Sequence, residues 1–234
     1  MITKETSRGE LVIKLLSITD IGVSRKENQD NFWSARLMVD GLEAGAVCLC
    51  DGMGGLDNGG LASRLVVEAV RDYFMSSIDF DGLNTVLQGV NKTINSLAVG
   101  RDKSMGTTCT VLLCYDGTYK VLHVGDSRCY RVHEGRLEKL TTDHSALAKY
   151  GITHKSDPQA YNKFKNLLTR CLGVKPDVII DYGEGSYADG DSFFLCSDGM
   201  WHYLDDYEFS EISELYNLDG MVRKCIDSGE TDNI

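Results

Sequence analysis

The chain has 234 residues, 42% of them hydrophobic and 25% charged, which suits one globular domain with a substantial core. Its formal net charge of −11 sets it against phosphate backbones and anionic headgroups, so nucleic acid and membranes are excluded as partners. No run approaches the length of an apolar membrane span, and no basic start, apolar run and small-residue cleavage site opens the chain; it reads as cytoplasmic.

In chain order, Leu11 to Ser17 is a short apolar run expected to be a strand. Glu43 to Cys50 is a second, ending at Asp51-Gly52-Met53-Gly54-Gly55. From Ala62, the residues Leu65, Val66, Ala69, Val70, Tyr73 and Phe74 recur at helical spacing, and Leu87, Val90, Ile94 and Leu97 form the stripe of another helix from about Leu83 to Leu97. Strands return at Thr107 to Cys114 and Tyr119 to Val124, joined by a turn over Tyr115-Asp116-Gly117-Thr118. Arg128 to Val132 is a further strand, closed by His133-Glu134-Gly135. The polar stretch from Ala146 to Lys165 has weak helical character at each end, strands resume at Val178 to Tyr182 and Ser192 to Cys196, and helices are expected at Asp206 to Tyr216 and Leu218 to Asp227. Hairpin turns between neighbouring strands point to antiparallel sheets covered by helices, an α+β fold. With only Pro158 and Pro176 and no Pro/Gly/Ser-rich linker, residues 1–234 read as a single domain.

The eight cysteines (48, 50, 109, 114, 129, 171, 196 and 225) lie mostly in apolar, strand-like runs and read as small buried hydrophobes of a reducing compartment. Cys48 and Cys50 would share one strand face as a metal pair does, but no second Cys or His pair completes a zinc set.

Two strands end almost identically, at Cys50-Asp51-Gly52-Met53 and Cys196-Ser197-Asp198-Gly199-Met200. Each places an aspartate after a buried run, with a glycine that lets the backbone turn. If the strands neighbour each other, Asp51 and Asp198 meet at one rim, where gathered carboxylates repel unless cations sit between them. Further acids stand in comparable settings: Asp30 closes Arg25-Lys26-Glu27-Asn28-Gln29-Asp30, Asp126 follows Gly125, and Asp232 precedes Asn233-Ile234. Oxygen donors without His or Cys select Mg²⁺ or Mn²⁺. Taken singly, an Asp-Gly pair is a turn more often than a ligand; the order of all of them changes that balance.

The series Arg25…Asn28-Gln29-Asp30, Asp51-Gly52-Met53-Gly54-Gly55, Gly106-Thr107-Thr108, Gly125-Asp126-Ser127-Arg128, Leu140-Thr141-Thr142-Asp143-His144-Ser145, Leu168-Thr169-Arg170, Cys196-Ser197-Asp198-Gly199 and Asp232-Asn233-Ile234 resembles the bacterial type of the metal-dependent protein phosphatases, the type 2C serine/threonine phosphatases. The match keeps family order from about residue 20 to residue 234. The resemblance implies a four-layer α-β-β-α sandwich with metals in a cleft at one end. It implies two or three divalent cations, Mn²⁺ or Mg²⁺: Asp51 bridging two of them, the Gly52 carbonyl on the second, Asp198 and Asp232 on the first, and Asp126 with Asp198 at a weaker third site. Arg25 matches the phosphate-binding arginine, and Asp30 would orient water at the metals. The reaction implied is hydrolysis of phosphoserine and phosphothreonine on proteins by a metal-activated water, reversing a partner serine/threonine kinase.

Three departures are visible. Gln29 stands where many members have Glu, and Met53 where many eukaryotic members have a His assigned as proton donor, which leaves leaving-group protonation to metal-bound water. The family pattern continues into a last core strand beyond Ile234. The segment 146–165 matches the family's variable flap. A non-catalytic phosphoprotein-binding module of the same fold is the alternative. Cysteine-dependent phosphatase chemistry fails, since no cysteine has an arginine six positions later, and G-x-G-x-x-G, G-x-x-x-x-G-K-[ST] and G-x-S-x-G are all missing. His144, after Asp143, reads as the maker of a local structural hydrogen bond.

Overall fold

The computed structural model describes residues 2–7, 10–54, 58–101, 105–153, 156–202 and 217–234. Among these described residues eleven strands, numbered in chain order, form two antiparallel sheets. The first contains β1 (Ile2–Ser7), β2 (Glu10–Leu15), β8 (Arg128–His133), β9 (Arg136–Lys139) and β11 (Ser192–Cys196), in the order β2-β1-β11-β8-β9. The second contains β3 (Asp30–Val39), β4 (Leu42–Met53), β6 (Cys109–Tyr115), β7 (Thr118–Val124) and β10 (Asp181–Ser186), in the order β10-β7-β6-β4-β3, with the short β5 (Gly106–Thr107) beside the end of β4. Three hairpins close on consecutive left-handed residues: Asp40 and Gly41 (φ 51° and 80°), Asp116 and Gly117 (47° and 72°), Glu134 and Gly135 (49° and 73°). A glycine in the second place makes such a turn inexpensive, and its twist matches that of the strands it joins.

Alternation along the strands builds three cores and hence four layers. On β4, Ala44, Ala46, Cys48 and Cys50 face α1 (Asn58–Phe74) and α2 (Phe80–Arg101), joined by Val111, Leu113, Leu122 and Val124. Their alternates Val47, Leu112, Cys114, Tyr119 and Val121 face the other sheet, meeting Ile13, Cys129 and Phe193. On the far side of the first sheet, Tyr130, Val132, Phe194 and Cys196 pack against α5 (Asp198–Trp201), α6 (Leu218–Asp227) and Ile234. The order is helices, sheet, sheet, helices. Two short helices, α3 (Ala146–Tyr150) and α4 (Pro158–Phe164), lie in the polar stretch, capped by the side chains of Ser145 and Asp157.

The sequence pattern missed β1, β3 and β9 and misplaced β10. β3 is an edge strand of half-buried residues, where Asn31, Ser34 and Arg36 dilute the apolar run; the Asp40-Gly41 turn was its legible sign. Val178 and Ile180 pack on the helical core, but the Val178 carbonyl accepts from the Gln88 side chain, and the ladder begins only at Asp181. Gly185 breaks the apolar pattern of β10 because the Tyr119 ring occupies the place of its Cβ. The helix expected at Asp206 to Tyr216 lies outside the described residues. Among the described residues no helix is long and apolar enough to cross a membrane.

Candidate metal centre

Asp51 stands near the end of β4, opposite Asp30 at the start of β3. The Gly106-Thr107-Thr108 segment fixes it from the other side. The Asp51 amide donates to Thr108 Oγ1 (2.8 Å), while the Asp51 carbonyl accepts from the Thr108 amide and from Thr107 Oγ1, each at 2.8 Å. Every backbone group of Asp51 is therefore engaged and only the carboxylate is left to face outward. Gly52 follows because a Cβ there would sit 2.3 Å from the Gly59 carbonyl oxygen and 2.7 Å from that of Gln29.

Asp198 opens α5 directly after β11, with Ser197 at the cap position. Ser197 turns its hydroxyl away from the helix and donates to Asp30 Oδ2 at 2.7 Å, joining the rims of the two sheets. Asp126 sits in the tight turn after β7. There, Gly125 has φ 115° and lies against Thr108; its amide donates to His144 Nδ1 (3.0 Å), and the indole of Trp201 donates to the Asp126 carbonyl (2.9 Å). The His144 ring accepts there, so its Nε2–H donates to Asp181 (3.0 Å), a structural bond as expected, though to a residue 37 positions away and not a local one.

Asp232 reaches the same rim from the last described segment. Ile234 and Asp20 exchange two backbone hydrogen bonds (2.7 and 3.0 Å), and Asn233 binds the amide of Gln29 and the carbonyls of Ile21 and Glu27. Glu230 Oε1 caps the amides of Thr231 and Asp232. Gly22 and Gly199 pack so closely that a Cβ on either would lie 2.0 Å from the carbonyl oxygens of Asp232 and Asn233 respectively. Asp232 Oδ2 accepts from Arg25 at 2.5 Å.

Arg25, Asp51, Gly52, Asp126, Asp198 and Asp232 thus line one polar cleft, together with Gln29, Met53, Gly54, Asn166 and Leu168. Of the seven residues singled out from the sequence, only Asp30 is not on its wall; it lies buried just beneath. Among the described lining residues Arg25 is the one cation. Burial, and then repulsion from Asp30, Asp198, Asp126 and Asp232, holds the Asp51 carboxyl well above the usual carboxylate range. Burial and Asp198 raise Asp126 in the same way. Asp198 is pushed up to about 6 by burial and by Asp232, and burial carries Asp30 up to about 7 against the hydrogen bond from Ser197. His202 lies 3.9 Å from Asp198, but burial holds its pKa down to about 4, leaving it neutral at pH 7 and no counter-charge. Four convergent carboxylates with one cation form a donor set of hard oxygens whose electrostatic strain divalent cations relieve, and Mg²⁺ and Mn²⁺ fit it.

The residues that lock this rim were not all legible beforehand. Ser197 and Asn233 stood in the ordered series, but their bonds to Asp30 and to the Gln29 amide join segments 167 and 204 positions apart, which no local pattern encodes; Glu230, outside the series, caps its own neighbours Thr231 and Asp232. Thr107 and Thr108 had a sign, since they fell in the ordered series, but their hold on Asp51 needs the pairing of β4 with β5.

A family model described as Protein phosphatase 2C matches residues 23–225. Protein phosphatase PhpP of Streptococcus pneumoniae is 31% identical over 237 residues, covering 93% of each chain. The crystal structure of serine/threonine phosphatase Stp1 from Staphylococcus aureus superposes with a TM-score of 0.79 at 25% identity, over 92% of this chain and 90% of that one. The catalytic domain of serine threonine protein phosphatase PstP, described in complex with two manganese ions, shares the fold with a TM-score of 0.77 at 24% identity, covering 92% of each chain.

Proposed function

This chain belongs to the protein phosphatase 2C family, and we propose that as a metal-dependent serine/threonine protein phosphatase it works through the acidic cleft just described. The observation that carries the site is the convergence of Asp51, Asp126, Asp198 and Asp232, from four separate segments, beside a single arginine. Asp51, the Gly52 carbonyl, Asp198 and Asp232 would hold two divalent cations, Mn²⁺ or Mg²⁺, and Asp126 with Asp198 would hold a weaker third. Bound there, the cations supply an acidified water and neutralise charge on the phosphoryl group.

The protein's own groups do the rest. Arg25 presents a planar fork that matches two phosphate oxygens, which a lysine cannot do as well. Its guanidinium rests on Asp232 Oδ2, which keeps the fork at the cleft wall where a phosphate would enter. Asp30, anchored by Ser197, orients water from beneath the cleft. Met53, on the cleft wall, carries no titratable proton, so protonation of the leaving serine or threonine oxygen would fall to water held at the cations.

Residues 146–165 act as a flap beside the cleft within one catalytic domain. The base of this segment is pinned where the Ala146 amide donates to the Leu167 carbonyl (2.8 Å), and none of α4 is buried. Phosphoproteins are the substrates, the opposing enzyme is a serine/threonine kinase, and the setting is the cytoplasm, in keeping with eight buried cysteines. The test is turnover of p-nitrophenyl phosphate and of a phosphothreonine peptide across a Mn²⁺ titration. Turnover that needs the metal and vanishes in Asp51→Asn supports the assignment; peptide binding with no turnover at any metal concentration rejects it.

A further inference from the structure

Cys48 and Cys50 hold alternate positions on β4, so both side chains point to the face covered by α1 and α2. The register that sets Cys48 opposite Val111 and Leu49 opposite Thr110 carries one step further to bring Cys109 across from Cys50. All three Sγ atoms lie within 4.8 Å of one another, and those of Cys48 and Cys50 are 3.7 Å apart. Among the described residues this is the one place where three metal-ligating side chains converge so tightly. We propose that Cys48, Cys50 and Cys109 form a three-thiolate site for a soft monovalent cation of the copper(I) class, separate from the carboxylate centre.

The geometry limits what could bind. Three sulfurs held about 2.3 Å from a common cation stand about 4 Å apart, so these thiols are already near coordination distance. No His, Asp or Glu among the described residues joins them as a fourth ligand, which tetrahedral structural zinc would need. The cysteines sit in the core with Ala46, Ala62 and Val66, a dry setting that offers nothing to the hydrated, oxygen-seeking cations of the cleft. Soft sulfur donors select soft ions, and each thiol that ligates gives up its proton to solvent as the ion enters.

The test uses the reduced full chain, kept anaerobic and saturated with Mn²⁺, in competition with a chromophoric copper(I) chelator. One equivalent should leave the chelator for the protein and raise the melting temperature. The Cys48→Ala/Cys109→Ala variant should lose that uptake while keeping Mn²⁺-dependent turnover, and Cys171→Ala should keep both. If the double variant fails to fold, copper-edge X-ray absorption of the loaded wild type decides, with three sulfur neighbours expected. Failure of the wild type to compete would show a cluster of packed thiols and overturn the proposal. Uptake unchanged in the folded double variant, or fewer than three sulfur neighbours, would do so too. Preference for zinc over copper(I) with the same cysteine dependence would overturn the three-coordinate assignment.

Discussion

Asp30 and Asp51 face each other across the antiparallel pairing of β3 and β4, and the Ser197 hydroxyl from the other sheet is bound to Asp30. Two acids at one rung of a ladder repel, and here burial lifts both well above the ordinary range. Asp30→Asn keeps an oxygen for Ser197 while removing the charge. Turnover should fall about 10-fold, the usual cost of losing an outer-shell partner. Metal-free protein at pH 8 should melt a few degrees higher than wild type. An unchanged rate would remove Asp30 from the mechanism.

The raised carboxyls set a pH dependence for the metal-free chain. Asp30 and Asp198 titrate at about 7 and about 6 when folded, against an ordinary 3.8. The folded state therefore binds protons more tightly than the unfolded one between those values. The stability that these protons contribute is complete below pH 4 and is lost as pH rises through about 7. Denaturant titrations in a chelator should show the decline between pH 4 and 7, and apparent Mn²⁺ affinity should climb over the upper part of that window as metal displaces protons. Affinity that is flat from pH 5.5 to 7.5 would contradict this.

Arg25 carries a third prediction, one that separates charge from shape. Arg25→Lys keeps the charge but loses the fork, and kcat/KM for a phosphopeptide should drop about 10-fold; Arg25→Ala should cost about 100-fold. Mn²⁺ affinity, measured independently, should not fall in either, since Arg25 competes for Asp232 and is no ligand itself. A lysine variant as active as wild type would show that charge alone suffices.

The last turn of the chain is held by contact with glycines. Gly199→Ala would put a methyl 2.0 Å from the Asn233 carbonyl oxygen, and backbone on both sides leaves little room to yield. The expected result is a loss of about 2–4 kcal/mol in stability, together with at least about 10-fold weaker Mn²⁺ binding as Asp232 is displaced. Calorimetric titration beside thermal melts would check both, and normal metal binding would mean Asp232 is no ligand.

Local order accounts for everything that could be read from the residues alone. The apolar runs of β4, β6 and β7 and the helical stripes of α1 and α2 named the strands and helices, because burial on one face imposes a period that survives in the residues; their stacking in four layers came only with the family resemblance. The acids of the cleft were legible because each follows a buried strand or tight glycine turn, and because the whole series keeps a known order. Tertiary structure decided what has no period: that Asp30 sinks below the cleft onto Ser197, that Thr107 and Thr108 grip the backbone of Asp51, and that Asn233 and two glycines lock Asp232. The edge strand β3 and the start of β10 also waited for it. Such contacts join residues up to 212 positions apart, and their energies depend on approach and burial, which a linear string does not carry.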